Sequence, residues 1–132
     1  MTTFTQQRSI PRKDTDVYDF LQNLKNHEQL MPEGGYSWTI TEDEVKLEIK
    51  NLTSLTLRLD KKEPSKLVSI RTVEGAFVPV VIRWEIEAQA EELSLVTLQI
   101  EAQLNMMMKM VASPVLNKLV EHQIEKLQDI LS

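Results

Sequence analysis

The chain has 132 residues, of which 42% are hydrophobic and 27% charged, as is typical of a globular protein with one hydrophobic core. Its net charge of −5 argues against nucleic-acid binding, which requires a basic surface, and its lack of cysteine excludes disulfides, thiolate metal sites and a cysteine nucleophile. No apolar run has the length of a signal peptide or a membrane span, so we expect a single cytoplasmic domain over residues 1–132.

The N-terminal segment, residues 2–10, has the composition of a strand that ends at a proline. If Phe4 and Ile10 point into the core, strand alternation sends Gln6 and Arg8 to the same side. Either a bulge resets the alternation, or these two polar side chains face a cavity. An inward Arg8 needs an anionic partner, which a ligand carboxylate or phosphate would supply, and exposure at a sheet edge is the alternative.

Two short helices are predicted between residues 14 and 31. Asp14 is the expected N-cap of the first, and Asp16 adds a negative charge to its first turn, where the helix dipole favours one. Apolar residues then recur at helical spacing, at Val17, Phe20, Leu21 and Leu24. The second helix follows Asn26 and must end before Pro32, which disfavours a helical residue ahead of it.

Residues 34–104 change to a period of two, which predicts half-buried antiparallel strands. The alternation is clearest in two long strands with a short turn between them. Their inward positions are Ile82, Trp84, Ile86 and Ala88, followed by Val96, Leu98, Ile100, Ala102 and Leu104. The apolar run 77–82 is interrupted by Pro79, so we expect a bulge or a sheet edge there.

The C-terminal segment returns to helical periodicity. From residue 115 the apolar positions are spaced by three and four, which predicts one long helix with a continuous apolar stripe. We expect the helix to start near Met107 and to bend at Pro114. A start at Ser113, as an N-cap followed by proline, is the alternative.

This order of elements resembles that of the SRPBCC superfamily, which includes START, polyketide cyclase and Bet v 1-like proteins. The resemblance rests on the segment DVYDFLQNLKNHEQLMP (16–32), the strand VIRWEIEAQ (81–89) and the methionine-rich start of the last helix. It implies an α+β helix-grip fold, in which a seven-stranded curved antiparallel sheet grips a long C-terminal helix and two short helices follow strand 1. It also implies a cavity under that helix for a hydrophobic or amphipathic small molecule.

We expect the cavity to lie between the last helix and the inner face of the sheet, because a twisted sheet curves away from a straight helix. The predicted ligand-binding residues are Arg8, Trp38, Ile82, Trp84, Leu98, Ile100, Met107, Met110, Leu116 and Val120. The methionines favour an adaptable wall, and packing at an irregular strand-to-helix junction is the alternative. The two tryptophans either line the cavity or fill the core without a ligand.

No catalytic or metal-binding residues are predicted, and no cofactor. His27 and His122 have no carboxylate at metal-ligand spacing, so ordinary structural roles are expected for both. The paired acids Glu91 and Glu92 belong to a turn, which indicates solvated charge rather than acid catalysis.

Three classes of function remain open. The first is a binding or carrier protein for an apolar or amphipathic small molecule, working as a monomer or a homodimer. The second is a cyclase- or aromatase-like enzyme, which would need polar groups converging in the cavity. The third is a protein-interaction module with a packed core. The sequence favours the first, because few inward positions are polar.

Overall fold

The computed structural model describes residues 1–132 as one seven-stranded, curved antiparallel sheet, three helical segments and their connections. The strands are β1 (Thr2–Ile10), β2 (Tyr36–Thr41), β3 (Glu44–Ile49), β4 (Thr53–Glu63), β5 (Leu67–Thr72), β6 (Val80–Ala90) and β7 (Leu93–Ala102). Their order in the sheet is β1-β7-β6-β5-β4-β3-β2, so six strands follow one another and β1 returns beside β7. This confirms the predicted α+β fold class.

Strands β6 and β7 form where the sequence alternates most regularly, and their register places the predicted inward residues opposite one another. Ile82 pairs with Ile100, and Trp84 pairs with Leu98. All four are buried. Pro79 causes neither a bulge nor an edge, contrary to the prediction, because it precedes β6 in the β5–β6 loop (residues 73–79). The bulges occur instead in β4, between Leu59 and Lys61, and near the end of β6.

Strand β1 contains no bulge, because its pairing with β7 is unbroken along its whole length. Phe4 and Ile10 are buried, and Gln6 and Arg8 share their face of the strand and are half-buried. Of the two alternatives from the sequence, a bulge is therefore wrong. Two polar side chains do face inward on this edge strand.

Helix α1 (Asp14–Leu21) is followed by a short 3-10 helix (Leu24–Leu30). Asp14 is not the N-cap but the first helical residue, and the cap position belongs to Lys13. The Asp14 carboxylate instead accepts a hydrogen bond from the Thr15 amide at 2.8 Å. Asp14 and Asp16 do place two negative charges in the first turn, as predicted.

Helix α2 (Met106–Leu131) begins one residue before the expected Met107 and continues through Pro114. The Asn105 side chain caps it by accepting a hydrogen bond from the Met108 amide at 2.8 Å. This cap explains why the helix starts ahead of the proline, and a start at Ser113 is wrong. No helix of the structure is both long enough and apolar enough to cross a membrane.

One hydrophobic core joins the sheet to all the helical segments. Helix α1 packs against β5, β6 and β7, and the 3-10 helix packs against β2 and α2. Helix α1 follows Ile10, which pairs with Ser94 at the start of β7. The short helices therefore fill the space between α2 and the sheet at that end, and leave the opposite end, near Ala102, for the first turns of α2.

Candidate ligand cavity

A cavity of about 360 Å³ lies between the N-terminal half of α2 and the concave face of the sheet. Of the 19 residues that line it, 17 are hydrophobic. From the sheet and its loops they are Leu47, Ile49, Asn51, Leu52, Thr53, Leu55, Phe77, Val78, Val80, Ile82, Ile100 and Ala102, and from α2 and the segment before it Leu104, Met107, Met108, Val111, Ala112, Leu116 and Leu119.

The sheet wall of the cavity is built from paired positions at one end of four strands. Val80 pairs with Ala102 at the start of β6 and the end of β7. On the other side, Leu47 pairs with Leu55 across β3 and β4. Because inward positions alternate along each strand, each pair adds one apolar layer to the wall.

The helix wall comes from the first half of α2. Its lining residues recur at steps of three or four, from Met108 to Ala112 and then to Leu116 and Leu119, so they share one face of the helix. The Asn105 cap fixes where this helix begins and therefore where that face meets the sheet.

The mouth of the cavity opens between the start of α2, the β3–β4 turn and the β5–β6 loop. Three lining residues at the mouth are largely exposed: Phe77 at 95%, Met107 at 80% and Val111 at 62%. Asn51 of the β3–β4 turn has a φ of 65°, a left-handed conformation that asparagine tolerates better than most residues. This tight turn brings the exposed Asn51 and the half-buried Leu52 to the opening.

The cavity lining contains no charged or titratable side chain. Its two polar members, Asn51 and Thr53, lie at the β3–β4 turn rather than at the inner end. The inner wall thus offers dispersion contacts and apolar surface, and the hydrogen-bonding groups belong to the mouth. Such a lining favours an apolar ligand body over a charged one.

His27 and two tryptophans fill the opposite end of the space under α2. The His27 ring stacks on Trp38 with centroids 5.6 Å apart and meets Trp84 edge to face at 6.2 Å. Its Nε2 lies 2.7 Å from the Leu21 carbonyl oxygen, so the Nε2–H tautomer donates there. Burial lowers the pKa of His27 to about 4, although the hydrogen bond to Leu21 opposes that shift. The imidazole is therefore neutral at pH 7 and serves as part of the core.

Four of the ten predicted ligand-binding residues line the cavity: Ile82, Ile100, Met107 and Leu116. Four others are packed in the core beyond it: Trp38, Trp84, Leu98 and Val120. Trp38 illustrates the reason, because its indole N–H donates to the Leu24 carbonyl at 2.9 Å and its ring is covered by His27.

Met110 and Arg8 also lie away from the cavity lining. Met110 is 80% exposed. Arg8 bonds within the protein, through Nη1 to the Gln6 side-chain oxygen at 2.9 Å and through Nη2 to Glu125 Oε1 at 3.4 Å. Arg8 thus pairs with Glu125 of α2 and does not line the cavity, and its role in binding an acidic ligand group stays a prediction.

Sequence reasoning missed most of the wall that β3, β4 and the β5–β6 loop contribute. Leu47, Ile49 and Leu55 belong to the alternating segment 34–104, but alternation does not tell which inward residues border a space. Phe77 was read as part of an apolar run, yet it lies in the loop before β6, two residues ahead of Pro79, and its side chain is exposed.

A second concavity, of about 540 Å³, lies near β6 and the start of α1 and is mostly polar. It contains Arg83 and Lys66 together with four acidic residues, Asp14, Glu63, Glu85 and Glu87. No group of three or more histidine or acidic side chains in the protein is arranged to hold a metal ion.

No family model matches the chain, and no curated protein sequence matches it. Its structure, however, resembles many solved structures. Norcoclaurine synthase from Thalictrum flavum superposes with a TM-score of 0.77 at 7% identity, over 98% of this chain and 93% of that protein. An uncharacterised protein from Bacillus thuringiensis gives 0.74 at 14% identity, over 98% of both chains. The Aha1 protein from Colwellia psychrerythraea, a dimer in solution, gives 0.71 at 14%, over 99% and 96%.

The chain has the helix-grip fold. Structural similarity at identities of 7–14% shows a shared fold but not a shared reaction or ligand. The roles of residues in those proteins therefore do not transfer to this one. Within the helix-grip fold, the position of the cavity agrees with the predicted one, between the long helix and the sheet.

Proposed function

We propose that the protein binds or carries a hydrophobic or amphipathic small molecule in the cavity between α2 and the sheet. The observation that carries this proposal is a cavity of about 360 Å³, lined almost entirely by hydrophobic residues and open to solvent beside Phe77, Met107 and Val111. Cavities that bind small molecules measure roughly 300–1,000 Å³ and combine apolar walls with a few polar groups.

The distribution of polar groups sets the orientation of the ligand. Apolar surface that leaves water for the inner wall, around Ile82, Ile100 and Leu116, gains about 25 cal/mol per Å². A polar group buried there would find no hydrogen-bond partner among the lining side chains and would oppose binding. The ligand therefore enters with its apolar part first and leaves any polar end at the mouth, beside Asn51 and Thr53.

An enzymatic role, of cyclase or aromatase type, is the alternative. The similarity to norcoclaurine synthase supports this alternative only through the shared fold. General acid–base catalysis needs a titratable side chain within hydrogen-bonding reach of the reacting atom. The hydrophobic lining supplies none, and this favours binding or carriage over catalysis. An interaction module with a packed core is disfavoured by the cavity itself.

Native mass spectrometry of freshly purified protein tests the proposal directly, by detecting a co-purified ligand. A second test is thermal unfolding with a panel of fatty acids, aromatic polyketides and sterols. A ligand that binds only the folded state, at a hundredfold excess over its Kd, should add about 2.7 kcal/mol to the free energy of unfolding. If no compound in the panel stabilises the protein and no ligand co-purifies, the carrier function is wrong.

A larger side chain introduced into the cavity from α2 tests whether the ligand binds at this site. Ala112 is buried and lines the cavity, so Ala112→Leu should occupy part of the empty volume and weaken ligand binding without unfolding the protein. Asn117→Leu adds a leucine to an exposed position of the same helix and is the matched control. Equal ligand affinity of both variants would place the binding site elsewhere.

A further inference from the structure

The mouth of the cavity carries an unusual concentration of exposed apolar side chains. The structure has six large exposed hydrophobic residues, and five of them belong to the mouth or to the first turns of α2. These five, which we call the apolar rim, are Phe77, Met106, Met107, Met110 and Val111. Single exposed apolar residues are ordinary, but a contiguous group marks an interaction surface.

The apolar rim is continuous. Met106 and Met110 are one turn apart on α2, as are Met107 and Val111, and Met107 and Met110 are neighbours at a spacing of three. Phe77 joins them from the β5–β6 loop, because it lines the same cavity mouth as Met107 and Val111.

The charged residues nearest in sequence to the apolar rim are opposite in sign. Between Leu104 and Asn117, Lys109 is the only charged residue, and it is exposed. On the other side, the loop that presents Phe77 carries the exposed Glu74. The rim is thus positive on its helix side and negative on its loop side.

We propose that the apolar rim is the interface with a second copy of this chain, in a two-fold dimer that places the two cavity mouths against each other. A two-fold axis brings the helix side of one copy against the loop side of the other, and the same contact recurs in reverse. The methionines of each α2 then pack on the partner's Phe77, and each Lys109 meets the partner's Glu74.

The size of the apolar rim agrees with this arrangement. Five large side chains that are 62–95% exposed present on the order of 600 Å² of mainly apolar surface. A stable protein interface buries about 800 Å² on each partner, so the rim with a narrow polar border provides the area needed. Methionine and phenylalanine are also enriched in the centres of such interfaces.

A second copy fits the apolar rim better than a lipid surface does. Surfaces that bind anionic membranes surround their apolar residues with several lysines or arginines. Here Glu74 opposes Lys109, and the whole chain has a net charge of −5. In a two-fold dimer, the positive side of the rim in one copy lies against the negative side of the rim in the other copy.

Such a dimer extends the proposed function without depending on it. Each copy would close the mouth of the other, so that the two cavities form one apolar compartment shielded from water. Release of a bound molecule would then require the dimer to dissociate.

Sedimentation velocity over a wide range of protein concentration, supported by light scattering, measures the oligomeric state. The unaltered protein should dimerise, and Met106→Glu and Met110→Glu should each shift it strongly towards the monomer. Neither residue lines the cavity, so both variants should still bind ligand if the proposed function is right. Their ligand binding therefore tests the proposed function, and their oligomeric state tests the dimer. Lys118→Glu, at an exposed position farther along α2, is the control and should leave the dimer unchanged.

A charge swap tests the predicted pairing itself. Lys109→Glu or Glu74→Lys alone should weaken the dimer several-fold, because like charges would face each other twice across the two-fold axis. The double variant should recover most of the loss.

A protein that is monomeric at all concentrations, or a dimer indifferent to all these changes, overturns the proposal. A monomer that binds phosphatidylcholine–phosphatidylserine vesicles through Met106 and Met110 also overturns it, in favour of a lipid surface.

Discussion

His27 is the one titratable side chain among the buried residues, and its surroundings explain why it stays neutral. Burial removes the water that would stabilise a charged imidazolium, and the stacked Trp38 ring and the edge of Trp84 do not replace it. The hydrogen bond from Nε2 to the Leu21 carbonyl satisfies one ring nitrogen. His27 therefore anchors the 3-10 helix to the tryptophans and closes that end of the core.

The depressed pKa of His27 predicts a loss of stability in acid. The unfolded chain takes up a proton near pH 6.5, whereas the folded protein resists it until about pH 4. The unfolded state therefore binds more protons in this window, and the stabilisation present above pH 6.5 is lost as the pH falls to 4. A shift of this size corresponds to roughly 3 kcal/mol.

The variant His27→Gln keeps a side-chain donor but cannot titrate in this range. Its free energy of unfolding, measured by urea denaturation, should be lower than that of the unaltered protein at pH 7.5 and should decline less between pH 6.5 and pH 4. His122→Gln makes the same chemical change at a half-buried site and is the matched control. Parallel pH profiles for His27→Gln and the unaltered protein would contradict the assignment.

The position of His27 had a recognisable signal in the sequence. In a 3-10 helix, side chains three residues apart lie on one side, and Leu24, His27 and Leu30 have this spacing. We predicted a second helix that begins only after Asn26, whereas it begins at Leu24, and so His27 was given no defined side. Arg8 is the opposite case, because its direction followed from strand alternation but its partner, Glu125, lies 117 residues away in the chain.

At the scale of whole elements, α2 has two halves with different surroundings. Its first turns carry the exposed Met106, Met107 and Met110, whereas its later turns bury Leu119, Val120, Ile124, Leu127 and Leu131. The second half holds the helix on the sheet, and the first half together with Leu119 covers the cavity. The stability of α2 therefore depends mainly on the second half, because isolated helices gain little without packing.

Substitution of leucines in that half should be costly. Leu119→Ala and Leu127→Ala should each lower the free energy of unfolding by about 2–5 kcal/mol, since both side chains are at most 2% exposed. Leu119 should lie nearer the lower bound, because part of it faces the cavity. Chemical denaturation measures both losses.

Lys118→Ala is the control for this prediction. Lys118 is exposed next to Leu119, and its loss should change stability by less than about half a kcal/mol. If Lys118→Ala costs as much as Leu119→Ala, the face of α2 that meets the sheet has been assigned wrongly.

Element type was predictable wherever a period continued for several residues. The alternation over β6 and β7 and the three- and four-residue steps of α2 each identify a buried face without knowledge of the partner. Prediction failed at element ends, where single side chains decide. Asn105 starts α2 at Met106 despite the proline eight residues later, and Lys13 rather than Asp14 occupies the cap of α1.

At the scale of the whole molecule, the position of the cavity depends on contacts that no local pattern records. Trp38 and Ile49 are both inward residues at the β2–β3 edge of the sheet, yet the first packs on His27 and the second faces the cavity. The difference arises because the short helices fill one end of the space under α2. Alternation tells which face is buried, and only the tertiary arrangement tells which end is filled.

This difference between the two ends can be measured on one strand. Leu55 and Leu57 are both buried on the same face of β4, but Leu55 lines the cavity and Leu57 does not. Leu57→Ala removes a side chain that is packed on all sides, so it loses the full set of contacts and creates a new void. Leu55→Ala enlarges a space that already exists, and its lost contacts are fewer.

We therefore expect Leu57→Ala to cost about 3–5 kcal/mol and Leu55→Ala to cost distinctly less, near 2 kcal/mol or below, in urea denaturation of ligand-free protein. The two substitutions remove the same atoms from the same strand, so each serves as the control for the other. Equal costs would mean that the cavity is collapsed or occupied in solution. Because a bound molecule restores contacts to Leu55, a cost that becomes equal only when a stabilising compound is added would show that the compound fills this cavity.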